Sequence, residues 1–468
     1  MDSKMHKINH ANIKDWAKNY DGPLFDGILC DPPYHLVSMT KRWGSENVKN
    51  TPTMNTKEGG VFARSAKGFM GKDWDGVDEN GIGIAQDPEM WRLLYNLLKP
   101  GAHLLAFSGS RTYHRMAVAI EDAGFEIRDQ LIWMYGSGFP KSLNIGKAVD
   151  KINGTEAEQL PTLPMQKKGD VGEISKNRRC AICLKAIASG NPCQCDRTYK
   201  ASNEYNGYGT ALKPAHEPCV LARKPISEKN IAENVLKWGT GGINIDESRV
   251  EADLVKDDLA RGRKTSEGVG IWGNAAQTKH LEASQLGRFP ANLIHDGSDE
   301  VVGLFPDGAK QAGSPKKTTH KDGMFGIGTP GRIYKENNNS AARFFYCAKS
   351  SRAERNAGLE GFELKEPPAS ARTKPAEGRQ NALGEPRQNH HPTVKPLSLT
   401  KYLANLIKPP TGGRLLVPFS GSGSEMIGAL QAGWEYVEGV ELTEEYIPIA
   451  EARIKHWTEQ TDKQVKLI

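Results

Sequence analysis

At 468 residues with 38% hydrophobic side chains, the chain is long enough for two or three domains, or for one large domain carrying an insertion. Its net charge of +6 fits a nucleic-acid partner and fits an ordinary soluble surface equally well, so charge alone selects neither. No apolar run approaches the roughly 20 residues of a bilayer span, the first residues lack a signal-peptide core, and seven cysteines in so long a chain do not make a secreted disulfide scaffold; a cytoplasmic protein with no membrane partner is expected.

The first 150 residues alternate strand and helix signals. KINHANIKDWAKN opens the pattern and FDGILC follows as a buried strand running into DPPY at 31–34. Two prolines cannot continue a sheet ladder, so the strand ends with Asp31 and Tyr34 at its tip. The segment 35–87 has little periodicity and is too long for a simple connection; within it, GKDWDG (Trp74, Asp75) reads as a loop near the strand tip. Next come a helix over 90–101 stopped by Gly101, a strand HLLAFSG, a helix RTYHRMAVAIEDAG and a strand FEIRDQLIWMYG. Strands alternating with helices predict an α/β sheet, largely parallel.

From about 150 the periodicity weakens. RRCAICLKAIASGNPCQCDR spaces Cys180, Cys183, Cys193 and Cys195 as C-x2-C-x9-C-x-C. Four thiolates complete a closed tetrahedral zinc site, and the x2 spacing suits a zinc knuckle. The trailing C-x-C is less usual, and His216 or Cys219 of HEPC is an alternative ligand; reduced free cysteines are the other reading. Between 310 and 352, Lys/Arg residues 310, 316, 317, 321, 332, 335, 343, 349 and 352 face only Asp322 and Glu336, with Phe325, Tyr334, Phe344 and Tyr346 interleaved. That is a candidate DNA-backbone surface or a solvated loop. Residues 353–389 read as a polar linker.

Order then returns. PLSLTKYLANLI reads as a helix, GRLLVPF as a strand, SEMIGALQAG as a helix, WEYVEGVEL as a strand and EEYIPIAEARIKHW as a last helix. FSGSGS joins the first of these strands to its helix, and the second strand ends at Glu441, 20 positions after Gly421. Glycines at a helix N-terminus allow close backbone approach, and an acid at the next strand tip takes ribose hydroxyls. The loop lacks the Lys-Ser/Thr of a P-loop and does not spell G-x-G-x-x-G, so an adenosine cofactor without phosphates, S-adenosylmethionine, suits it best.

With DPPY, HPTVKPLSLTKYL (391–403) and PFSGSGS in that order, the sequence resembles the amino-group DNA methyltransferases in the circularly permuted order called the beta class. WMYGSGFPKSLNIGKAVD and FFYCAKSSRAERNAGL also resemble bacterial and phage members. The resemblance implies a Rossmann-like methyltransferase sheet assembled from the N- and C-terminal parts of the chain. Residues 1–150 would be the catalytic half, 151–345 an inserted target-recognition region with the zinc knuckle, 346–390 a linker and 391–468 the cofactor half. Carried over by position, Asp31 and the carbonyl of Pro32 would accept from the target amine, Pro33 would hold the spacing and Tyr34 would stack on a flipped base. Phe419, Gly421 and Gly423 would line S-adenosylmethionine, Glu441 would hold its ribose, and Thr393 and Lys395 would close over its methionine side. The implied partner is double-stranded DNA in a bacterial, phage or restriction-modification setting; nothing in the sequence fixes an oligomeric state.

Asp as the first residue of the motif leans towards adenine over the N4 amine of cytosine. A zinc-containing DNA-binding protein with an inactive methylase fold, or a methyltransferase of RNA or protein glutamine, are the rival readings. Two departures stand out: Val417 occupies the position where the family usually has Asp before Pro-Phe, and Ala11-Asn12 replaces the usual Gly-Asp.

Overall fold

The computed structural model describes residues 5–35, 82–136, 138, 142–155, 158–159, 199–250, 289–302, 345–347, 349–365 and 387–465. Chain order gives strands β1 (His6–His10), β2 (Phe25–Cys30), β3 (Leu98–Phe107), β4 (Glu126–Met134), β5 (Glu158–Gln159), β6 (Tyr199–Lys200), β7 (His216–Arg223), β8 (Leu293–His295), β9 (Phe345–Tyr346), β10 (Arg414–Val417) and β11 (Tyr436–Glu441). The helices are α1 (Ile13–Lys18), α2 (Pro88–Asn96), α3 (Tyr113–Asp122), α4 (Ile145–Asn153), α5 (Ile231–Trp238), α6 (Asp299–Val302), α7 (Arg352–Asn356), α8 (Leu397–Ile407), α9 (Ser424–Gln431) and α10 (Ile447–Val465). No helix among the described residues is long and apolar enough to cross a membrane.

Among the described residues, nine strands form one sheet in the order β1-β11-β10-β2-β3-β7-β4-β8-β9. The N-terminal β1 lies parallel to the C-terminal β11, and β2 lies parallel to β10, so the two ends of the chain build one Rossmann-like sheet, as the permuted motif order implies. All six residues of β2 are buried, which is why FDGILC is continuously apolar apart from Asp26: helices cover both faces. Asp26 is held by Lys99 Nζ at 2.7 Å and by the Arg414 backbone N–H at 2.8 Å. The helix expected over 90–101 ends at Asn96, because Leu98 already pairs with Phe25 of β2 and Pro100 offers no N–H to a helix.

The main sheet is largely parallel, as expected, with one strand direction and one boundary that the sequence did not announce. β7 runs antiparallel to both neighbours, β3 and β4, inside a sheet otherwise parallel. The stretch 151–345, expected as one insertion, is also divided: 137–215 forms a compact unit of its own, and from His216 the chain re-enters the main sheet through β7 and then β8. The apolar run CVLA in β7 is the sheet core that brings it back. In the smaller unit, buried Asp150 of α4 accepts from the Ser202 backbone N–H and hydroxyl and from Asn203.

α8 and α9 pack closely where Gly428 faces Thr400. A Cβ on Gly428 would lie 2.3 Å from Thr400 Oγ1 and 2.6 Å from the Lys401 backbone N. Gly428→Ala is therefore expected to destabilise the fold by about 1–3 kcal/mol, read from its denaturant midpoint; an unchanged midpoint would mean that the two helices separate freely.

Candidate active site

β10 crosses over through α9 to β11 on one side, while β2 leads to β3 on the other. The sheet order thus reverses between β10 and β2, and the crevice outside the carboxyl ends of such strands is where open α/β sheets bind ligands. FSGSGS leaves β10 and DPPY leaves β2 at this same edge. Because β7 runs the opposite way, its first residues, His216 and Glu217, lie at this edge beside Met134 and Trp133 of β4.

On the glycine-loop side, Gly421 (φ +49°) and Gly423 (φ +81°) adopt the left-handed conformation that only glycine takes without cost. The Gly421 backbone N–H donates to Glu441 Oε2 at 2.8 Å, and Glu441 Oε1 accepts from the Thr443 N–H at 2.7 Å. Burial raises the Glu441 carboxyl against these backbone donors. His391 lies over the loop, its Nε2 2.8 Å from where a Gly421 Cβ would be; burial lowers its pKa to about 3, so it is neutral, and its Nδ1 pairs with the Thr393 carbonyl. Thr393 itself is exposed, and Phe419 packs against the sheet core. From α10, fully buried Arg453 braces the loop: its Nη1 donates to Ser422 O at 2.5 Å, Ser422 Oγ at 3.0 Å and Ser424 Oγ at 3.2 Å. The Ser420 hydroxyl is buried with no hydrogen-bond partner among the described residues.

Val417 is fully buried in β10, and no acid takes its place in the strand. Asn12 uses its side-chain oxygen to cap α1, accepting from the Lys14 N–H at 2.9 Å, while Ala11 N–H donates to Glu441 O at 3.0 Å.

On the DPPY side, Lys395 does not stand apart with Thr393. Its ammonium is 2.5 Å from Asp31 Oδ2, 3.2 Å from Glu217 Oε2 and 3.1 Å from the Tyr34 hydroxyl oxygen. It lies 4.5 Å from the centre of the Phe107 ring, a favourable cation–π contact. The Tyr34 hydroxyl donates to Glu217 Oε2 at 3.0 Å, and the Tyr135 hydroxyl donates to Glu217 Oε1 at 3.3 Å. The Tyr34 carbonyl accepts from Thr112 Oγ1 at 2.8 Å. His35, next in sequence, is buried at φ +49° with its Nε2 accepting from the Ala85 N–H at 3.2 Å; this pins the end of the motif in a conformation a non-glycine residue rarely takes.

Burial disfavours the charged Lys395, but Asp31 and then Glu217 over-compensate and hold its pKa above the ordinary lysine value. Glu217 is held below the usual carboxylate range: burial opposes this, and Lys395 followed by the Tyr34 hydroxyl outweighs it. Asp31 is raised, by burial first and by the Glu217 charge, against the pull of Lys395. Glu425, buried in the first turn of α9, is raised to about 7 by burial and then by Asp31. Glu425 thus feels the Asp31 charge from the first turn of the helix that follows the glycine loop.

The donors and acceptors of this cluster nearly balance. Lys395 has three N–H groups and three acceptors; both Glu217 oxygens are engaged; each tyrosine has spent its O–H. Asp31 Oδ1 is buried and accepts no hydrogen bond among the described residues.

Asp31, Tyr34 and Lys395 are thus brought together, as are Gly421 and Glu441. Glu217, Tyr135, Glu425 and Arg453 were not singled out by the sequence. A carboxylate opening the apolar strand HEPCVLAR was the available signal for Glu217. Cys219, weighed as a zinc ligand, is buried in the sheet core with its thiol pushed up by burial, which is the setting of a core residue. Cys180, Cys183, Cys193, Cys195, Trp74, Asp75 and all of the basic stretch before Phe345 lie outside the described residues. Lys349 is within them, its ammonium 3.7 Å from the centre of the Tyr135 ring.

The model of the N6/N4 DNA methylase family matches residues 25–452. Among solved structures, the chain is similar to M1.HpyAVI in complex with SAM, at 13% identity and a TM-score of 0.36, over 96% of this chain and 99% of that one. It is also similar to the cytosine-N4-specific PvuII DNA methyltransferase, at 10% identity and a TM-score of 0.37, over 98% of this chain and 92% of that one. No curated protein matches the sequence.

Proposed function

The chain belongs to the N6/N4 DNA methylase family, and from that premise we propose that it transfers the methyl group of S-adenosylmethionine to the exocyclic N6 amine of an adenine flipped out of double-stranded DNA. The observation that carries this reading is Asp31 Oδ1, which among the described residues is the open acceptor of an otherwise satisfied buried cluster at the carboxyl end of β2. An exocyclic amine is a weak nucleophile because its lone pair is delocalised into the ring. Acceptors on its two N–H groups favour a more tetrahedral nitrogen, and Asp31 Oδ1 with the Pro32 carbonyl offers two such acceptors on a chain stiffened by Pro33. Tyr34, held at both its carbonyl and its hydroxyl, presents a ring for the flipped base to stack on. The new N–C bond would form from the nitrogen lone pair as the methyl–sulfur bond breaks, its electron pair passing to sulfur so that a neutral thioether leaves, and the proton the nitrogen sheds would go to the Asp31 carboxylate, the base at hand.

The glycine-loop residues fit the cofactor. Gly421 and Gly423 make the left-handed turn of the loop, buried Ser420 Oγ has no partner among the described residues, and Glu441 stands at the strand tip. When bound, S-adenosylmethionine supplies a methyl group on a positively charged sulfur. Phe419, Gly421, Gly423 and Thr393 would hold it, with Glu441 on the ribose. Glu441→Gln is expected to weaken S-adenosylmethionine binding about tenfold or more, measured by calorimetry; unchanged affinity would remove the ribose role.

The deciding experiment incubates the protein with unmethylated DNA and methyl-labelled S-adenosylmethionine, then identifies the labelled nucleoside. Label in N6-methyladenine is expected, as Asp at the head of the motif favours adenine. Label in N4-methylcytosine would replace the base, and label in no nucleoside would sink the reading. A structural zinc on Cys180, Cys183, Cys193 and Cys195 belongs to the same proposal on spacing alone. One equivalent of zinc in the wild type and less after Cys180→Ser is expected; a metal-free wild type removes it.

A further inference from the structure

We propose that Glu217 is a positioning residue for the methyl-transfer step: by sharing the Lys395 ammonium with Asp31 and taking the hydroxyls of Tyr34 and Tyr135, it sets the stacking ring and keeps one Asp31 oxygen open for the target amine. This rests on the transfer reading above. Glu217 reaches the site only because β7 runs against its neighbours, which puts the start of that strand at the carboxyl edge. Three side chains from three separate parts of the chain converge on its two oxygens, at 3.0 Å from Tyr34, 3.2 Å from Lys395 and 3.3 Å from Tyr135.

Without the Glu217 charge, the Lys395 ammonium would be shared less and would neutralise Asp31 more fully. Tyr34 would lose the acceptor for its O–H, and its hydroxyl would keep only the Lys395 ammonium at 3.1 Å. The groups facing Asp31 are Lys395, Glu217, Tyr34 and Glu425, with the buried thiols of Cys30 and Cys219. Removing Glu217 takes away a like charge, so Asp31 would titrate lower.

The test compares wild type with Glu217→Gln and Glu217→Asp in kcat, KM for DNA, S-adenosylmethionine affinity and the pH profile of kcat. Glu217→Gln is expected to lower kcat by up to about 10²-fold, to leave cofactor affinity nearly unchanged and to move the acid limb of kcat to lower pH. Glu217→Asp, which keeps the charge, is expected to keep the acid limb near the wild-type position. A loss that falls on cofactor affinity, an unchanged kcat or an acid limb that stays in place in Glu217→Gln would overturn the proposal.

Thermal unfolding tests the cluster without turnover. A carboxylate held low in the folded state stabilises above its unfolded pKa and loses that contribution as pH falls through the folded value. The Tm gap between wild type and Glu217→Gln is therefore expected to stay constant from about pH 7 to about pH 5 and to shrink as pH falls below about 4. A pH-independent gap overturns the ion-paired role of Glu217, whatever the activity. A wild type that transfers no methyl group while the gap shrinks on schedule defeats the transfer reading, and with it the positioning role, but leaves the ion-paired cluster standing.

Discussion

Asp31→Ala is expected to lower methyl transfer by about 10³-fold or more while S-adenosylmethionine still binds with nearly wild-type affinity. The two effects separate because Asp31 and the glycine loop sit on different strands, β2 and β10, and share no hydrogen bond among the described residues. The fold should survive the change. Breaking a buried ion pair is costly when it strands a charge, but Lys395 keeps Glu217 at 3.2 Å and the Tyr34 hydroxyl at 3.1 Å. Measured side by side, single-turnover transfer and calorimetric cofactor binding decide the matter. A variant that transfers at a tenth of the wild-type rate or better would remove Asp31 from the chemistry, and one that no longer binds the cofactor would place it in the wrong half of the site.

The two ends of this site were legible in the sequence for a physical reason. A buried strand broken by two prolines, and a strand–glycine–helix–strand with a spaced acid, are local patterns whose chemistry travels with their residues. The joining of β1 to β11 and β2 to β10 followed from the order of those patterns. What the sequence did not carry was the antiparallel β7. Its apolar run lies in a stretch of weak periodicity after a separate compact unit, and nothing in HEPCVLAR fixes which way it runs. Glu217 acquires its role only through that direction. Lys395 was found and read for the cofactor, since HPTVKP precedes the glycine loop; that its long side chain also reaches two buried carboxylates at the neighbouring half of the edge is a long-range contact that no local pattern announces.

That placement makes Lys395→Met the sharpest test of how the site is held together. The variant leaves Asp31, Glu217 and Glu425 facing one another without the ammonium that lies near all three. Removing one member of a buried ion pair costs about 3–5 kcal/mol, so the denaturant midpoint should fall clearly near neutral pH. The sign of the pH dependence follows from burial. Without Lys395 the folded-state pKa values of these carboxyls rise, and a group raised in the folded state contributes stability below its unfolded pKa of about 4 that is lost as pH climbs through the folded value. The stability gap to wild type is therefore expected to widen from about pH 5 to about pH 8. Transfer should fail over the same range, because a protonated Asp31 no longer accepts from the target amine, and the acid limb of kcat should move up, opposite to its movement in Glu217→Gln. Were Lys395 instead a clamp on the methionine end of the cofactor, the loss would fall on S-adenosylmethionine affinity and the unfolding midpoint would not follow pH. Opposite shifts of one acid limb in two variants are hard to produce by general damage to the fold, and they would identify the shared carboxylate, Asp31, as the group being titrated.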